Sequence, residues 1–193
     1  AHRLIEKAVR SNMQSVFTDC PHREKLGWLE QDHLCGPGLL YNYDLTGFLP
    51  QTLQNIADAQ HANGAVPTTA PEYVVFEGPG MDAFAESPEW GCTFVVLPFM
   101  YYETYGDDSL IRKYYNGMRR YIDYMTTRAN DGIVSFGLGD WYDYGDFRAG
   151  FSRNTPVPLV ATAHYYMVVR YLVEAARMLD NRYDLSLIHI SQP

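Results

Sequence analysis

Two carboxylates, a guanidinium and an indole fall within the eleven residues Thr18-Asp19-Cys20-Pro21-His22-Arg23-Glu24-Lys25-Leu26-Gly27-Trp28. Pro21 disfavours helix at Cys20, so the segment begins as a loop and enters a helix near Gly27. Asp19 and Glu24 can then face each other across a turn, with Arg23 holding one of them ionised. Hydrolysis of a glycosidic bond needs such a pair, one carboxyl protonated beside the leaving oxygen and one carboxylate ionised elsewhere. The same spacing also suits a capping and salt-bridge cluster.

A second element is Phe136-Gly137-Leu138-Gly139-Asp140-Trp141-Tyr142-Asp143-Tyr144-Gly145-Asp146. Here Trp141 and the tyrosines suit the apolar face of a sugar ring, while aspartates such as Asp140 suit its hydroxyls. Asp140, Asp143 and Asp146 lack the spacing of a calcium loop. The third element, Glu86-Ser87-Pro88-Glu89-Trp90-Gly91, reads either as a helix N-cap with a buried Trp90 or as part of the same site. His22 lies in the first motif, and His164 reads as a core residue on a helix stripe. Cys20, Cys35 and Cys92 are odd in number and without CxxC spacing, which predicts neither a disulfide framework nor a zinc site. No HExxH, GxSxG, Walker or GxGxxG pattern occurs, and no cofactor or metal is implied.

The surrounding chain narrows the class. Its 193 residues carry 15 Lys+Arg against 23 Asp+Glu, a net charge of −8, which argues against nucleic acid or an anionic membrane as partner. The longest apolar run, Phe94 to Tyr102, contains Pro98 and is far short of the roughly 20 residues of a membrane span. Apolar residues at 47% predict a packed core, and aromatics at 15%, with 16 Tyr, suit stacking on sugars.

The elements that must position these motifs are helices. Leu110, Ile111, Tyr114, Tyr115, Met118, Tyr121, Ile122 and Met125 mark one face of a helix over Asp108–Arg128. Further helices are expected over Ala1–Val16, Gly27–Tyr43, Thr46–Ala62, Ser87–Tyr105 and Leu159–Leu179, with at most a short β piece at Tyr73–Phe76. Tight turns near Asp44 and Gly106 alternate with the long connections 63–86 and 131–158. If each helix reverses the chain, segment 17–26 and both long connections share one end, and the tight turns share the other. That predicts an all-α helical-hairpin array with one working face. Ala1 opens inside a helical pattern, and residues 183–193 read as a non-native tail. Within that tail Leu185-Ser186-Leu187-Ile188-His189-Ile190-Ser191 resembles translated sequencing-adapter read-through.

Asp19-Cys20-Pro21-His22-Arg23-Glu24-Lys25-Leu26-Gly27-Trp28, with Pro88-Glu89-Trp90-Gly91 and Gly139-Asp140-Trp141 downstream, resembles the catalytic domain of bacterial α-L-rhamnosidases, glycoside hydrolase family 78. The resemblance spans about residues 1 to 182. It implies part of an (α/α)6 barrel, incomplete because twelve helices of about 15 residues with long loops need roughly 350 residues. The remainder of that barrel is therefore an expected partner, beside a rhamnose-containing glycoside or polysaccharide as substrate. It also implies an inverting mechanism with Glu24 as general acid, its pKa raised by an enclosed, carboxylate-rich pocket. Asp19 and Arg23 match residues that bind rhamnose hydroxyls. Trp28 and Trp141 match aromatic walls around the ring and its methyl group, and Trp90 and Asp140 fall in the two downstream motifs. A further family carboxylate coincides with Gln31, which leaves its role to Glu30 or Asp32. The family's general base falls beyond the last residue, so the chain alone is expected to be inactive. Alternatives are another (α/α)6 glycosidase, trehalase-like or glucoamylase-like, and a non-catalytic carbohydrate-binding helical protein.

Overall fold

The computed structural model describes residues 1–181, so the expected tail at 183–193 lies outside the described residues. The chain forms α1 (His2–Asn12), α2 (Glu30–Leu34), α3 (Gly36–Asn42), α4 (Phe48–Ala59), α5 (Asp82–Ala85) and α6 (Pro88–Gly91). It continues through α7 (Thr93–Tyr105), α8 (Ser109–Arg128), β1 (Asp143–Gly145), β2 (Phe147–Gly150) and α9 (Val157–Met178).

The axis of the packing is α7. Every residue from Thr93 to Tyr101 is buried, and this helix touches α2, α3, α4, α8 and α9. A helix apolar on all sides can be stable only when enclosed in this way. Against it α8 lays the predicted stripe, Leu110 to Met125, and α9 lays Ala161, Tyr165, Val168 and Leu172. At the far end Gly106 takes the left-handed conformation (φ 70°) that closes α7, and Asp44 Oδ1 accepts from the amide and hydroxyl of Thr46. These two tight turns meet: the Leu45 amide donates to Tyr105 Oη at 3.0 Å. The expected helical-hairpin array, with tight turns at one end, is the observed architecture.

Several boundaries differ, each for a local reason. The expected helix over Gly27–Tyr43 starts only at Glu30 and breaks at Cys35, because Pro37 has no amide to continue the ladder. Before Glu30, Trp28 pairs with Thr69 in a strand-like bridge: Leu29 donates to Thr68 O (2.9 Å) and Ala70 to Gly27 O (2.9 Å). A Cβ on Gly27 would stand 2.5 Å from Ala70 O, so this strand-like contact requires glycine. Helix α1 ends at Asn12, not Val16, since Met13 pairs with Phe17. Ser87 does not cap α6 with its hydroxyl, which donates to Glu89 and accepts from the Leu138 amide. The β structure lies at 143–150, an antiparallel hairpin pairing Asp143 with Gly150 and Gly145 with Phe147, and not at 73–76. No helix among the described residues is long and apolar enough to cross a membrane.

Candidate active site

The three long segments converge at the end opposite the tight turns, and aromatic rings join them. Trp28 stacks on Phe76 (centroids 5.3 Å apart, planes at 29°) and meets Trp90 edge-on at 6.4 Å. Phe84 continues the row from Phe76 (6.0 Å) to Trp141 (5.2 Å), and Phe151 touches both Phe84 and Trp141. Trp28, Trp90 and Trp141, distant in sequence, therefore stand in one aromatic wall. Phe76, Phe84 and Phe151 complete it. Single aromatic residues in unpatterned loops carry no sequence signal of partnership, which is why the motifs alone did not reveal them.

Side-chain bolts fix the loops that carry this wall. Glu86, closing the first long connection, accepts from Arg128 Nη1 (3.4 Å) and from Tyr124 Oη, both on α8. His61 lies 2.9 Å from Glu72 and 3.6 Å from Glu86, tying the end of α4 to the same loop. Thr68 donates to Phe84 O and Ala85 O, folding that loop back on itself. In the second loop Gly137 (φ 113°) lets the backbone press against Ser87 and Glu89. A Cβ there would lie 2.8 Å from Ser87 Oγ and 2.9 Å from Glu89 Oε2. The β-hairpin hangs on Asp143, whose Oδ2 accepts from the Arg153 and Asn154 amides at 2.7 Å and whose Oδ1 accepts from the Tyr144 amide at 2.8 Å.

An acidic residue accompanies each tryptophan of the wall. Glu30 follows Trp28 by two residues, Glu89 precedes Trp90, and Asp140 precedes Trp141. Burial, then the charges of Glu89 and Asp140, push the Glu30 carboxyl up to about 7. Glu89, 1% exposed, is also raised by burial, an effect eased by the Ser87 hydroxyl, by backbone amides and by His164. Its Oε1 has no hydrogen-bond partner.

The first motif lies at the rim. Glu24 Oε2 accepts from Trp28 Nε1 (3.0 Å), and Glu24 Oε1 accepts from Arg23 Nη2 (3.1 Å). Asp19, Cys20 and Glu24 bring one donor atom each within 4.8 Å of one another, so the turn does set the two carboxylates face to face. Contrary to the enclosed pocket expected for it, the Glu24 side chain is 37% exposed, because Pro21 and the left-handed Lys25 (φ 61°) hold the turn outward. Asp32 is separate from the cluster. Two helical residues turn about 200°, so Asp32 projects from the face of α2 opposite Glu30. It is 4% exposed, and burial alone holds its carboxyl well above the usual range. The structure thus gathers Asp19, Arg23, Glu24, Trp28, Glu30, Trp90, Asp140 and Trp141 at one end and leaves Asp32 in the interior.

A helical-hairpin array that presents tryptophans and carboxylates on one face fits the architecture of a six-hairpin glycosidase domain. The chain belongs to the bacterial alpha-L-rhamnosidase six-hairpin glycosidase domain family, whose sequence pattern matches residues 1–187. Proteins named alpha-L-rhamnosidase from Formosa agariphila and Streptomyces avermitilis are 29% and 30% identical to it, over 93% and 85% of this chain. The solved alpha-L-rhamnosidase of Dictyoglumus thermophilum superposes with a TM-score of 0.80 at 26% identity over 98% of the chain. The chain spans 19% and 15% of the length of the two relatives and 21% of the solved protein. The fold is accordingly part of an (α/α)6 barrel.

Proposed function

We propose that this chain is the portion of an inverting α-L-rhamnosidase barrel that carries the general acid and one wall of the sugar site. The substrate is a glycoside or polysaccharide with terminal α-L-rhamnose. The observation that carries the reading is the convergence of the rim carboxylates and the Trp28–Trp90–Trp141 wall from three loops at one end. Rhamnose is a 6-deoxy sugar, so a wall of rings suits its methyl group, while Asp19, Arg23, Glu30 and Asp140 suit its hydroxyls.

In this reading Glu24 gives its proton to the glycosidic oxygen as the bond breaks. Trp28 Nε1, donating to Glu24 Oε2, orients the carboxyl toward the wall. Water attacks the opposite face of the sugar, activated by a base about 6.5–9.5 Å from the acid. That base comes from the rest of the barrel, so hydrolysis by the 193-residue chain alone is not expected. The test is Glu24→Gln in the full-length enzyme, assayed on aryl α-L-rhamnosides and aryl α-glucosides. Hydrolysis of the rhamnoside should fall about 10²–10⁴-fold while ligand binding is kept. Unchanged turnover removes Glu24 as the acid, and preference for the glucoside points to another (α/α)6 glycosidase.

A second reading of the acid has its own support. Glu30, half-buried and held up to about 7 beside Glu89 and Asp140, is protonated over much of the range where a glycosidase acid works. If Glu30 donates the proton, Glu30→Gln abolishes the alkaline limb of the pH–rate profile and Glu24→Gln leaves it in place.

A further inference from the structure

Beneath the aromatic wall, three elements bring together side chains that the glycosidase reading does not use. We propose that His33, Cys92 and His164 form a three-donor site for one divalent transition-metal ion of the zinc class.

One ring nitrogen of each histidine and the Cys92 sulfur all lie within 4.8 Å of one another. Cys92 Sγ is 3.9 Å from His33 Nε2. Tetrahedral zinc, at about 2.3 Å from sulfur and 2.0–2.1 Å from nitrogen, needs donors roughly 3.3–3.6 Å apart. A contraction of about 1 Å, within the reach of side-chain rotation, closes the present arrangement to that size.

The surrounding hydrogen bonds fix both imidazoles in the tautomer a metal needs. Thr93 Oγ1 donates its proton to Leu29 O (2.8 Å), so at His33 Nδ1, 2.7 Å away, it can only accept. Nδ1 of His33 therefore carries the proton, and Nε2 presents its lone pair on the Cys92 side. His164 Nδ1 faces Val160 O at 2.9 Å, and a carbonyl only accepts. Its Nε2 is likewise the lone-pair nitrogen. Metal-binding histidines are held in this way, by a backbone or hydroxyl partner on the other ring nitrogen.

A buried carboxylate stands near one of the three donors, Cys92, in sequence. Glu89 Oε1 is buried in a residue only 1% exposed and has no partner. Glu89 and Cys92 are three residues apart on one helical face, linked by Cys92 Sγ donating to Glu89 O at 3.3 Å. The Glu89 charge acts on Cys92. Two imidazoles and a thiol match the donor preferences of zinc. On binding, the Cys92 S–H bond gives way to a metal–sulfur bond and its proton leaves to solvent.

Such an ion would tie α2, the α6–α7 junction and α9 together under Trp90. The second donor cluster, Asp19–Cys20–Glu24, is exposed, and its Glu24 carboxylate already accepts from Arg23 and Trp28. It serves as the internal control.

The test uses the chelator-stripped 193-residue chain titrated with Co2+ and followed by absorption. One equivalent should bind, with a thiolate-to-cobalt charge-transfer band and the visible bands of tetrahedral cobalt. Cys92→Ser should abolish the charge-transfer band, and His164→Gln should weaken binding tenfold or more. The double variant Cys20→Ser/Cys35→Ser should keep both band and affinity. The proposal fails if the unaltered chain gives no saturable cobalt spectrum. It also fails if the band survives Cys92→Ser or disappears in the Cys20/Cys35 variant. None of this depends on rhamnosidase activity, so the two readings can fail separately.

Discussion

Glu30 shows how a single carboxyl links site and stability. Its pKa is raised by burial first and by Glu89 and Asp140 next, so the folded protein holds this proton more tightly than the unfolded chain does. The stability it gives is complete below the ordinary glutamate value and is lost as pH rises from about 4.3 toward 7. Above 7 the ionised carboxylate is a standing penalty. Glu30→Gln should therefore raise the melting temperature of the metal-free protein above pH 7 and leave it unchanged below pH ~4. Because Glu30 is only half-buried and its charge is partly screened by solvent, the gain at neutral pH is on the order of 1 kcal/mol. Thermal unfolding at the two pH values checks this, and a loss of stability at pH 8 would contradict the environment described. A gain in stability with a loss of turnover would mark Glu30 as a residue whose strain serves the site.

At the scale of elements, the loops decide the geometry and Asp143 decides the second loop. Its carboxylate accepts from three backbone amides and from the Asn154 side chain, which holds its pKa below the usual aspartate range. A depressed carboxylate stabilises above its unfolded value, about 3.9, and loses that contribution as pH falls through the lower folded value. The hairpin should thus loosen in acid before the helices do. Asp143→Ala should produce the same loosening at neutral pH. Limited proteolysis between residues 143 and 154 should become faster and the Trp141 emission should shift to the red, with little change in helical signal. Unaltered proteolysis would show that the hairpin is held by other contacts. Much of this scale was legible beforehand: the α8 stripe, the Gly106 stop and the Asp44 turn are local signals and appeared where expected. The break at Pro37 is a local signal as well, since proline lacks the amide, but the late start at Glu30 depends on Ala70 O and on the competition of a strand-like contact with a helix. Periodicity within one segment does not report that competition.

At the scale of the molecule, an open groove of about 710 Å³ runs between α7 and α9, lined by Phe99, Tyr102, Tyr166, Met167 and Tyr171 among others. Tyr102 and Tyr166 are exposed there, and Leu4 and Ile5 of α1 are 72% and 62% exposed. A chain that spans about a fifth of its relatives' length leaves such faces for other parts of the barrel to cover, as the expected barrel remainder would do. Tyr102→Gln with Tyr166→Gln should reduce binding of a hydrophobic dye by the 193-residue chain without lowering its melting temperature. The same pair should destabilise the full-length enzyme if the expected remainder of the barrel packs on these faces. Equal effects in both contexts would remove this groove as a seam of the barrel.

By itself the sequence determined the helical class and the end at which the long loops and the motif carboxylates gather, because helix periodicity, turn residues and a dense motif are all local. Only the tertiary structure decided that Glu30, Glu89 and Asp140 share one environment while Asp32 faces the interior. It alone placed Phe76, Phe84 and Phe151 in the wall and set His33, Cys92 and His164 within reach of one another, where spacing had predicted no metal site. Those residues come from separate helices and loops. Their chemistry depends on mutual distance and exclusion of water, which arise only once the elements pack.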